Sequence, residues 1–281
     1  MAPSISHPTM TTSDKANAFR ALHQRDGAFI IPNPWDIGSA RILAHLGFAA
    51  LASTSAGFAF SVGQRDNTIG RDRMLAHVAE LVAATELPVS ADLENGFGDS
   101  PEAVATTIRL AAATGLAGGS IEDSTGRADD PIYAHGLAVD RIRAAVEVVR
   151  GLPHPFMLTA RAENHLIGRN DLKDTIKRLQ AYQEAGADVL YAPGLVSEED
   201  IAAVVSSVDR PVNVLMGMAG APHTLASLSG LGVKRVSVGG ALARAAIGGL
   251  LRAAREMRER GSFTFTEEAA SFREISAMFK G

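Results

Sequence analysis

Short apolar runs recur eight times along this chain of 281 residues, and Ala-rich segments with a helical apolar repeat separate them. Strand patterns that alternate with helix patterns predict parallel strands, because a parallel pair needs a long crossover connection. Eight such units favour closure into a (β/α)8 TIM barrel, and an open doubly wound sheet is the alternative. The predicted strands are residues 28–32, 48–54, 88–94, 119–123, 155–161, 189–192, 211–216 and 235–239.

The whole barrel is predicted to be one domain. The length suits a barrel of about 250 residues, and no linker-like segment interrupts the pattern. Ser100 and Pro101 supply an N-cap and a first-turn proline, which mark the start of one of the connecting helices. We predict a disordered tail at residues 1–14, which are polar and rich in Ser and Thr, and a single barrel domain at 15–281.

The last part of the chain, residues 252–281, is predicted to be a helical extension rich in Arg and Glu. Phe272, Ile275 and Phe279 fall on one face of it at helical spacing. An apolar face of this kind usually packs on another surface, and a neighbouring subunit is one such surface.

Composition excludes several classes of function. The 27 basic and 31 acidic residues give a net charge of −4 without a basic block, so a nucleic acid partner is not expected. No apolar run approaches the roughly 18 residues of a membrane span, so no membrane partner is expected. The chain has no cysteine, which excludes disulfides, thiolate metal sites and a cysteine acid or nucleophile. A cytoplasmic location is expected.

Acidic side chains cluster at the predicted strand ends, where barrel enzymes carry their chemistry. Asp92 and Glu94 are two residues apart, so on a regular strand they would point to the same side, and Glu122 ends the next strand. Several carboxylates at one rim repel each other unless a cation is present. Oxygen ligands without cysteine or paired histidines favour Mg²⁺, with Mn²⁺ possible, over zinc. Alternatively, these acids cap helices or pair with Arg161.

Two further features are candidates for binding an anionic substrate. Arg161 ends the fifth predicted strand, where a guanidinium suits a carboxylate. Its alternative role is a buried ion pair with Glu163 or Glu122. The small residues Ser53, Thr54 and Ser55 end the second strand and could offer backbone N–H groups to an anion, or form an ordinary turn.

The sequence lacks the residues that two other classes of barrel enzyme require. A Schiff-base aldolase needs a lysine inside the barrel, and no lysine falls at a predicted carboxyl-terminal strand end. A zinc hydrolase needs histidines at metal-ligand spacing, but the 8 histidines are scattered.

Five motifs occur in an order that resembles the isocitrate lyase/phosphoenolpyruvate mutase superfamily, over roughly residues 27–250. They are Ser53 to Ser55, the loop Gly63-Gln64-Arg65-Asp66, Asp92-Leu93-Glu94-Asn95-Gly96-Phe97-Gly98, Ile121-Glu122-Asp123 and Ala160-Arg161-Ala162-Glu163.

The resemblance implies a role for each of these positions. Asp92 matches the acid that ligates Mg²⁺, and the acids that hold the waters of the ion correspond to Glu94, Glu122 and Asp66. The backbone amides of Thr54 and Ser55 match those that hold the substrate carboxylate, and Arg161 matches the substrate-binding arginine. Asp66 and Arg161 are thereby the catalytic candidates. The resemblance also implies tetramers or dimers in which the last helix is exchanged between subunits.

The sequence departs from the family pattern at three places. Isocitrate-type lyases carry Lys-Lys-Cys-Gly-His in the loop after the fourth strand, but residues 124–135 here contain neither lysine nor cysteine. The usual proton donor is therefore missing, and His135, Tyr133 or a metal-bound water are the candidates to replace it. Position 94 is a glutamate where many members have aspartate. Pro193 stands where the mutases carry a histidine, which argues against phosphoryl transfer.

We therefore expect a Mg²⁺-dependent lyase or decarboxylase that acts, through an enolate, on a C–C bond of a 2-oxo or 2-hydroxy di- or tricarboxylate resembling oxaloacetate or isocitrate. The small carboxylate substrate is the expected partner. Two alternatives remain: P–C chemistry on phosphonopyruvate, as a hydrolase or mutase, and a catalytically weak binder of 2-oxo acids.

Overall fold

The computed structural model describes residues 10–218 and 220–279, and these form a parallel (β/α)8 barrel as predicted. The strands are β1 Phe29–Ile31, β2 Leu51–Ala52, β3 Val89–Asp92, β4 Gly118–Glu122, β5 Met157–Arg161, β6 Val189–Tyr191, β7 Val212–Leu215 and β8 Arg235–Ser237. The helices are α1 Thr12–Gln24, α2 Ile37–His45, α3 Ser55–Ser61, α4 Arg71–Ala83, α5 Pro101–Ala112, α6 His135–Arg150, α7 Leu172–Ala185, α8 Glu198–Ser206, α9 Leu225–Gly230, α10 Ala241–Arg260 and α11 Phe272–Met278.

The strands pair in the order β1-β8-β7-β6-β5-β4-β3-β2, and every pair is parallel. Between β1 and β2, the amide of Ala52 donates to the carbonyl of Pro32 over 3.1 Å, so the barrel is nearly closed there. Each observed strand lies within or beside one of the eight predicted runs, and the open-sheet alternative is wrong.

Alternation along the strands separates the outer core from the barrel interior. On β5, Leu158 and Ala160 are fully buried in the cluster that the strands share with the surrounding helices. Thr159 and Arg161 face the other way, into the barrel, where they contact polar residues of neighbouring strands. Because the strands are parallel, the last inward-facing side chain of each strand lies at the carboxyl-terminal rim of the barrel.

Helix α1 covers the amino-terminal end of the barrel. Its Phe19 is fully buried in a second cluster with Phe29, Met157 and Val189, which are the first residues of β1, β5 and β6. Burial of one phenylalanine contributes about 1.5–3 kcal/mol. Because this end is closed, ligands reach the interior from the carboxyl-terminal rim.

The boundary of the predicted tail is wrong at its last residues. Helix α1 begins at Thr12, because Thr11 and Asp14 form a capping box that satisfies the first free amides of the helix. Residues 1–9 of that tail lie outside the described residues.

The helical extension is also present. Helix α10 extends to Arg260, a 3₁₀ turn spans Thr264–Glu267, and α11 follows. Phe272 is 89% exposed, and Ile275 and Phe279 are each 39% exposed, so the described residues cover the predicted apolar face only in part. Exchange of this helix between subunits stays a prediction.

Candidate active site

A cavity of about 370 Å³ opens at the carboxyl-terminal rim. This volume lies within the range of about 300–1,000 Å³ found for small-molecule sites. All eight strands or the loops that follow them contribute to its lining, which includes most of the predicted site residues. These are Ser53, Thr54, Ser55, Asp66, Asp92, Glu122 and Arg161.

Arg161 is the centre of a buried charge cluster. Its Nη1 lies 3.1 Å from Asp92 Oδ1, its Nη2 3.1 Å from Glu122 Oε2, and its Nε 2.8 Å from Glu163 Oε1. Glu122 meets Arg161 because the two residues are register partners on β4 and β5. Both ion pairs considered from the sequence, with Glu122 and with Glu163, are therefore formed.

The electrostatics of this cluster favour the charged arginine and oppose the charged acids. Burial alone would lower the pKa of Arg161, but Glu163, Glu122 and Asp92 outweigh it and hold that pKa well above its ordinary value. Burial raises the pKa of Glu122 well above its usual range, against the attraction of Arg161. Burial also raises the pKa of Glu163, again against the attraction of Arg161.

Asp92 is fixed by backbone and side-chain donors around it. Its Oδ2 accepts a hydrogen bond from the amide of Ser55 over 3.1 Å, and its Oδ1 accepts one from the amide of Glu94 over 3.3 Å. The hydroxyl of Ser53 accepts a bond from the amide of Asp92 itself, over 2.9 Å. Thr54 caps helix α3, since its hydroxyl accepts from the amide of Gly57 over 3.2 Å. The Ser-Thr-Ser segment thus positions the central acid.

Glu94 does not follow the strand alternation that the sequence suggested. Strand β3 ends at Asp92, and Glu94 takes a left-handed backbone conformation with φ of 50°, so its side-chain direction is set by a turn. Its side chain is still buried, and its Oε1 has no hydrogen-bond partner. Burial first, and then repulsion from Asp92 and Asp66, raises the pKa of Glu94 to about 8.

Asp66 approaches the same cluster from the loop between α3 and α4. The residue as a whole is exposed, but its carboxyl lines the cavity. Desolvation of the carboxyl, followed by repulsion from Asp92, raises its pKa, and a hydrogen bond with the Ser55 side chain acts in the opposite direction.

The acid set fits a hydrated cation better than a fully coordinated one. In the part of the chain that the structure describes, no group of three His, Cys, Asp or Glu side chains is placed to hold an ion by itself. However, the acids are oxygen donors, and burial followed by repulsion between them raises the pKa of Glu94 and Asp66. Glu94 Oε1 is also buried without a partner. Mg²⁺ keeps several of its waters and needs few direct ligands, which suits this arrangement.

Asp123, the acid beside Glu122, belongs to the scaffold. Its Oδ2 accepts hydrogen bonds from Arg178 over 3.0 Å and from the Tyr182 hydroxyl over 2.6 Å. Its Oδ1 accepts from the amide of Glu163 over 2.8 Å. The motif Ile121-Glu122-Asp123 therefore places one acid inside the barrel and the other against helix α7.

The two side chains considered as replacements for the missing proton donor are Tyr133, in the loop after β4, and His135, the first residue of α6. The Tyr133 hydroxyl donates to Asp99 over 2.6 Å, and Arg127 pairs with Asp99 over 2.9 Å. Tyr133 is buried in this contact, and neither it nor His135 is among the cavity-lining residues.

Sequence reasoning missed several polar residues inside the barrel. Tyr191, Asn213, Arg235 and Ser237 all line the cavity and are buried. Arg161 Cζ lies 5.1 Å from the centre of the Tyr191 ring, and burial raises the pKa of that phenol to about 12. The available signal was the presence of polar residues at inward positions of β6, β7 and β8, where barrels usually carry branched apolar ones.

With this geometry established, comparison with known proteins identifies the class. The model of the phosphoenolpyruvate phosphomutase family matches residues 19–258. The chain therefore belongs to this family, within the PEP mutase/isocitrate lyase superfamily, and the resemblance inferred from the motifs is confirmed.

Three relatives show how close the match is. A crystal structure of a candidate lyase/mutase from Burkholderia cenocepacia J2315 shares 65% identity and a TM-score of 0.94, covering 95% of this chain and 97% of that one. The crystal structure of 2,3-dimethylmalate lyase has 27% identity and a TM-score of 0.83, covering 96% and 95%. Oxaloacetate decarboxylase from Pseudomonas savastanoi pv. phaseolicola (strain 1448A / Race 6) is 27% identical over 259 residues, 90% of this chain and 88% of that protein. The chain is thus an enzyme of the carbon–carbon lyase type, as predicted.

None of the described helices is long and apolar enough to cross a membrane.

Proposed function

We propose that this enzyme is a Mg²⁺-dependent lyase that breaks a C–C bond of a small 2-oxo or 2-hydroxy di- or tricarboxylate and passes through an enolate. The observation that carries the proposal is the cluster of Asp92, Glu122 and Glu163 around Arg161 at the mouth of the cavity, with Glu94 and Asp66 beside it. The named relatives that act on oxaloacetate and on 2,3-dimethylmalate support the substrate class.

We assign metal binding to the acids of this cluster and substrate binding to Arg161. Asp92 would hold the ion, with Glu94, Glu122 and Asp66 holding its waters. Bound there, the ion would supply positive charge to the oxygen of the developing enolate. Arg161 is held in place by three carboxylates, so its remaining N–H donors have a fixed direction and can bind the substrate carboxylate.

We propose Tyr191 as the proton donor that replaces the missing loop cysteine. Its phenol lines the cavity beside Arg161, and its pKa of about 12 keeps it protonated at neutral pH. When the C–C bond breaks, its electron pair remains on the substrate carbon, and the phenol gives that carbon its proton. Water then returns a proton to the tyrosinate.

The test is a screen of the purified enzyme with Mg²⁺ against oxaloacetate, isocitrate, 2-methylisocitrate, 2,3-dimethylmalate and phosphonopyruvate. Turnover of a C–C substrate that is lost with EDTA and in Asp92→Asn supports the proposal. Asp140→Asn, an exposed aspartate on α6, is the matched control and should retain activity. Full activity of Asp92→Asn on every acid would end the proposal.

The same screen decides between the alternatives. Release of inorganic phosphate from phosphonopyruvate would establish P–C chemistry instead. Thermal stabilisation by 2-oxo acids with Mg²⁺, but no turnover of any compound, would establish a binder.

We also propose that the apolar face of α11 is covered by another subunit in a helix-swapped dimer or tetramer. The exposure of Phe272 (89%) on the same face as Ile275 and Phe279 (39% each) supports this, since a contiguous exposed apolar patch marks an interaction surface. Light scattering of the wild type and of Phe272→Glu tests it, and a monomeric wild type would refute it.

A further inference from the structure

The turn after β3, which carries Glu94, has a strained backbone. Among the described residues, Asn67, Glu94 and Phe97 are the ones that combine a side chain with a positive φ, and two of them lie in this turn. The φ angle is 50° at Glu94 and 58° at Phe97, with Gly96 at 81° between them. A bulky residue rarely adopts the left-handed region, so such a conformation persists only where surrounding contacts enforce it. The turn therefore depends on partners elsewhere in the fold.

Arg141, on helix α6, is bonded to this turn. It is 1% exposed, and its guanidinium donates hydrogen bonds to the backbone carbonyls of Asn95, Gly98 and Asp99. The bonds to Gly98 and Asp99 are both 2.6 Å long. A planar guanidinium can reach three acceptors at once because its donors point in fixed, diverging directions. Arg141 thus fixes the carbonyl just after Glu94 and the two at the end of the turn.

The loop after β4 holds Arg141 from the other side. The ring of Tyr133 covers the guanidinium, whose Cζ lies 4.1 Å from the ring centre. The Tyr133 hydroxyl donates to Asp99 over 2.6 Å and accepts from Asn95 Nδ2 over 3.3 Å. One buried arginine therefore joins the turn after β3 to the loop after β4, whose Ser124 borders the cavity.

Arg141 acts on the site from behind it, because it is not among the described residues that line the cavity. Its influence passes through the backbone of Glu94. The amide of Glu94 donates to Asp92 Oδ1 over 3.3 Å, and the carbonyl of Glu94 accepts from the amide of Glu122 over 3.1 Å. A shift of the turn therefore moves the Glu94 carboxyl relative to both of these acids.

We propose that Arg141 is a positioning residue of the metal site, which holds the strained turn in the conformation that directs the Glu94 carboxylate at the waters of the ion. This inference rests on the proposed metal-dependent function and adds to it a residue outside the cavity. Without its three hydrogen bonds, the turn relaxes to negative φ angles and Glu94 moves away from the other acids. Affinity for the ion then falls, while the turnover of enzyme saturated with the ion changes little.

The test uses Arg141→Met, Arg141→Lys and the control Arg143→Met. Methionine keeps much of the apolar stem and removes every donor, and lysine keeps the charge but not the planar fork. Arg143 lies on the same helix with 61% of its side chain exposed, and it pairs with Asp140.

Titration with Mn²⁺ alone, followed by electron paramagnetic resonance, measures ion binding without any substrate. Arg141→Met should weaken this binding about tenfold or more, as removal of a residue that orients a metal ligand typically does. Arg141→Lys should lose less, and Arg143→Met should match the wild type. Unchanged Mn²⁺ affinity in Arg141→Met would overturn the proposal.

Hydrogen exchange of the metal-free enzyme tests the turn itself. In EDTA, peptides that cover residues 93–99 should exchange at least about tenfold faster in Arg141→Met than in the wild type, because local protection is lost. Peptides from β5, residues 157–161, should exchange at the wild-type rate. Faster exchange in both segments alike would show a general loss of stability and would overturn the positioning role.

A second substitution tests whether backbone strain is the reason that Arg141 is needed. Phe97→Gly removes the penalty for a positive φ, and Phe97→Ala loses the same ring but keeps that penalty. In the Arg141→Met background, Phe97→Gly should bind Mn²⁺ at least about threefold more tightly than Phe97→Ala. Equal affinities of the two double variants would contradict the role of strain.

Kinetics distinguish positioning from a purely structural role. In Arg141→Met, the Mg²⁺ concentration for half-maximal turnover should rise about tenfold, and kcat at saturating Mg²⁺ should stay within about threefold. A lower kcat with an unchanged Mg²⁺ requirement would overturn the proposal.

The positioning role and the lyase function fail separately. If Mn²⁺ binding depends on Arg141 but no acid is turned over, the positioning role stands and the lyase function fails. If an acid is cleaved with the same Mg²⁺ requirement in Arg141→Met and wild type, the lyase function stands and the role of Arg141 fails. A wild type that binds neither ion ends both.

Discussion

Glu94→Gln should stabilise the metal-free enzyme, and increasingly so as pH rises. In the folded chain the pKa of Glu94 is raised from 4.5 to about 8 by burial, then by Asp92 and Asp66. The folded state therefore keeps the Glu94 proton over a pH range in which the unfolded chain has released it. Stability is fully present below pH 4.5 and falls as pH rises towards about 8. Glutamine has nearly the same shape as protonated glutamate and does not ionise, so its contribution to stability does not change with pH.

The size of the effect follows from the shift. At about 1.4 kcal/mol per pH unit, a rise from 4.5 to about 8 corresponds to at most about 5 kcal/mol, and water entry into the turn reduces it. We expect the stability difference between Glu94→Gln and wild type to grow by about 2–4 kcal/mol between the two pH values.

The assay is urea unfolding in EDTA at pH 4.5, 6 and 8, followed by circular dichroism. Glu184→Gln, an exposed glutamate on α7, is the control and should show no pH-dependent gain. In Mg²⁺ the order should reverse at pH 8, because the ion stabilises the wild type more than a variant that holds it less tightly. A Glu94→Gln difference that does not change with pH in EDTA would refute the electrostatic reasoning.

Three further outcomes are expected. Tyr191→Phe should lower kcat at least about a hundredfold and change KM by no more than about threefold, because it removes the hydroxyl that donates the proton and keeps the ring. Steady-state kinetics measure both values, and an unchanged kcat would exclude the phenol as donor. Phe19→Ala should lower the free energy of unfolding by about 3–5 kcal/mol in urea titration, because the cap on the barrel loses its buried ring; a loss below about 1 kcal/mol would show that α1 does not close the barrel. Burial, then the charge of Arg235, lowers the pKa of His23 to about 3, so the wild type should lose about 2 kcal/mol between pH 6.5 and 5 while His23→Phe loses less; parallel losses would contradict this.

The strands were predictable because their outward side chains pack on the helices and are apolar or small, and because segments with a helical repeat separate them. Asp92, Glu122 and Arg161 were placed correctly at one rim because they end consecutive strands, and parallel strands bring their ends together. The roles assigned to them stay predictions.

Other features depend on geometry that a single sequence does not contain. The direction of Glu94 is set by a left-handed turn after β3, not by the strand period. Arg235 looks like an unremarkable basic residue at a strand start, and its contact with Thr159 exists only because the sheet curls round. At the carboxyl terminus, residues 266–268 resemble a helix start, but Thr266 lies in the 3₁₀ turn and the last helix begins at Phe272, after the Ser271 cap.

Helix α1 closes one end of the barrel, so substrate and products share the carboxyl-terminal rim as their passage. Both fragments of a cleavage then have to leave by the way the substrate entered. Either fragment, added in excess, is therefore expected to slow turnover by occupying that passage or the site below it.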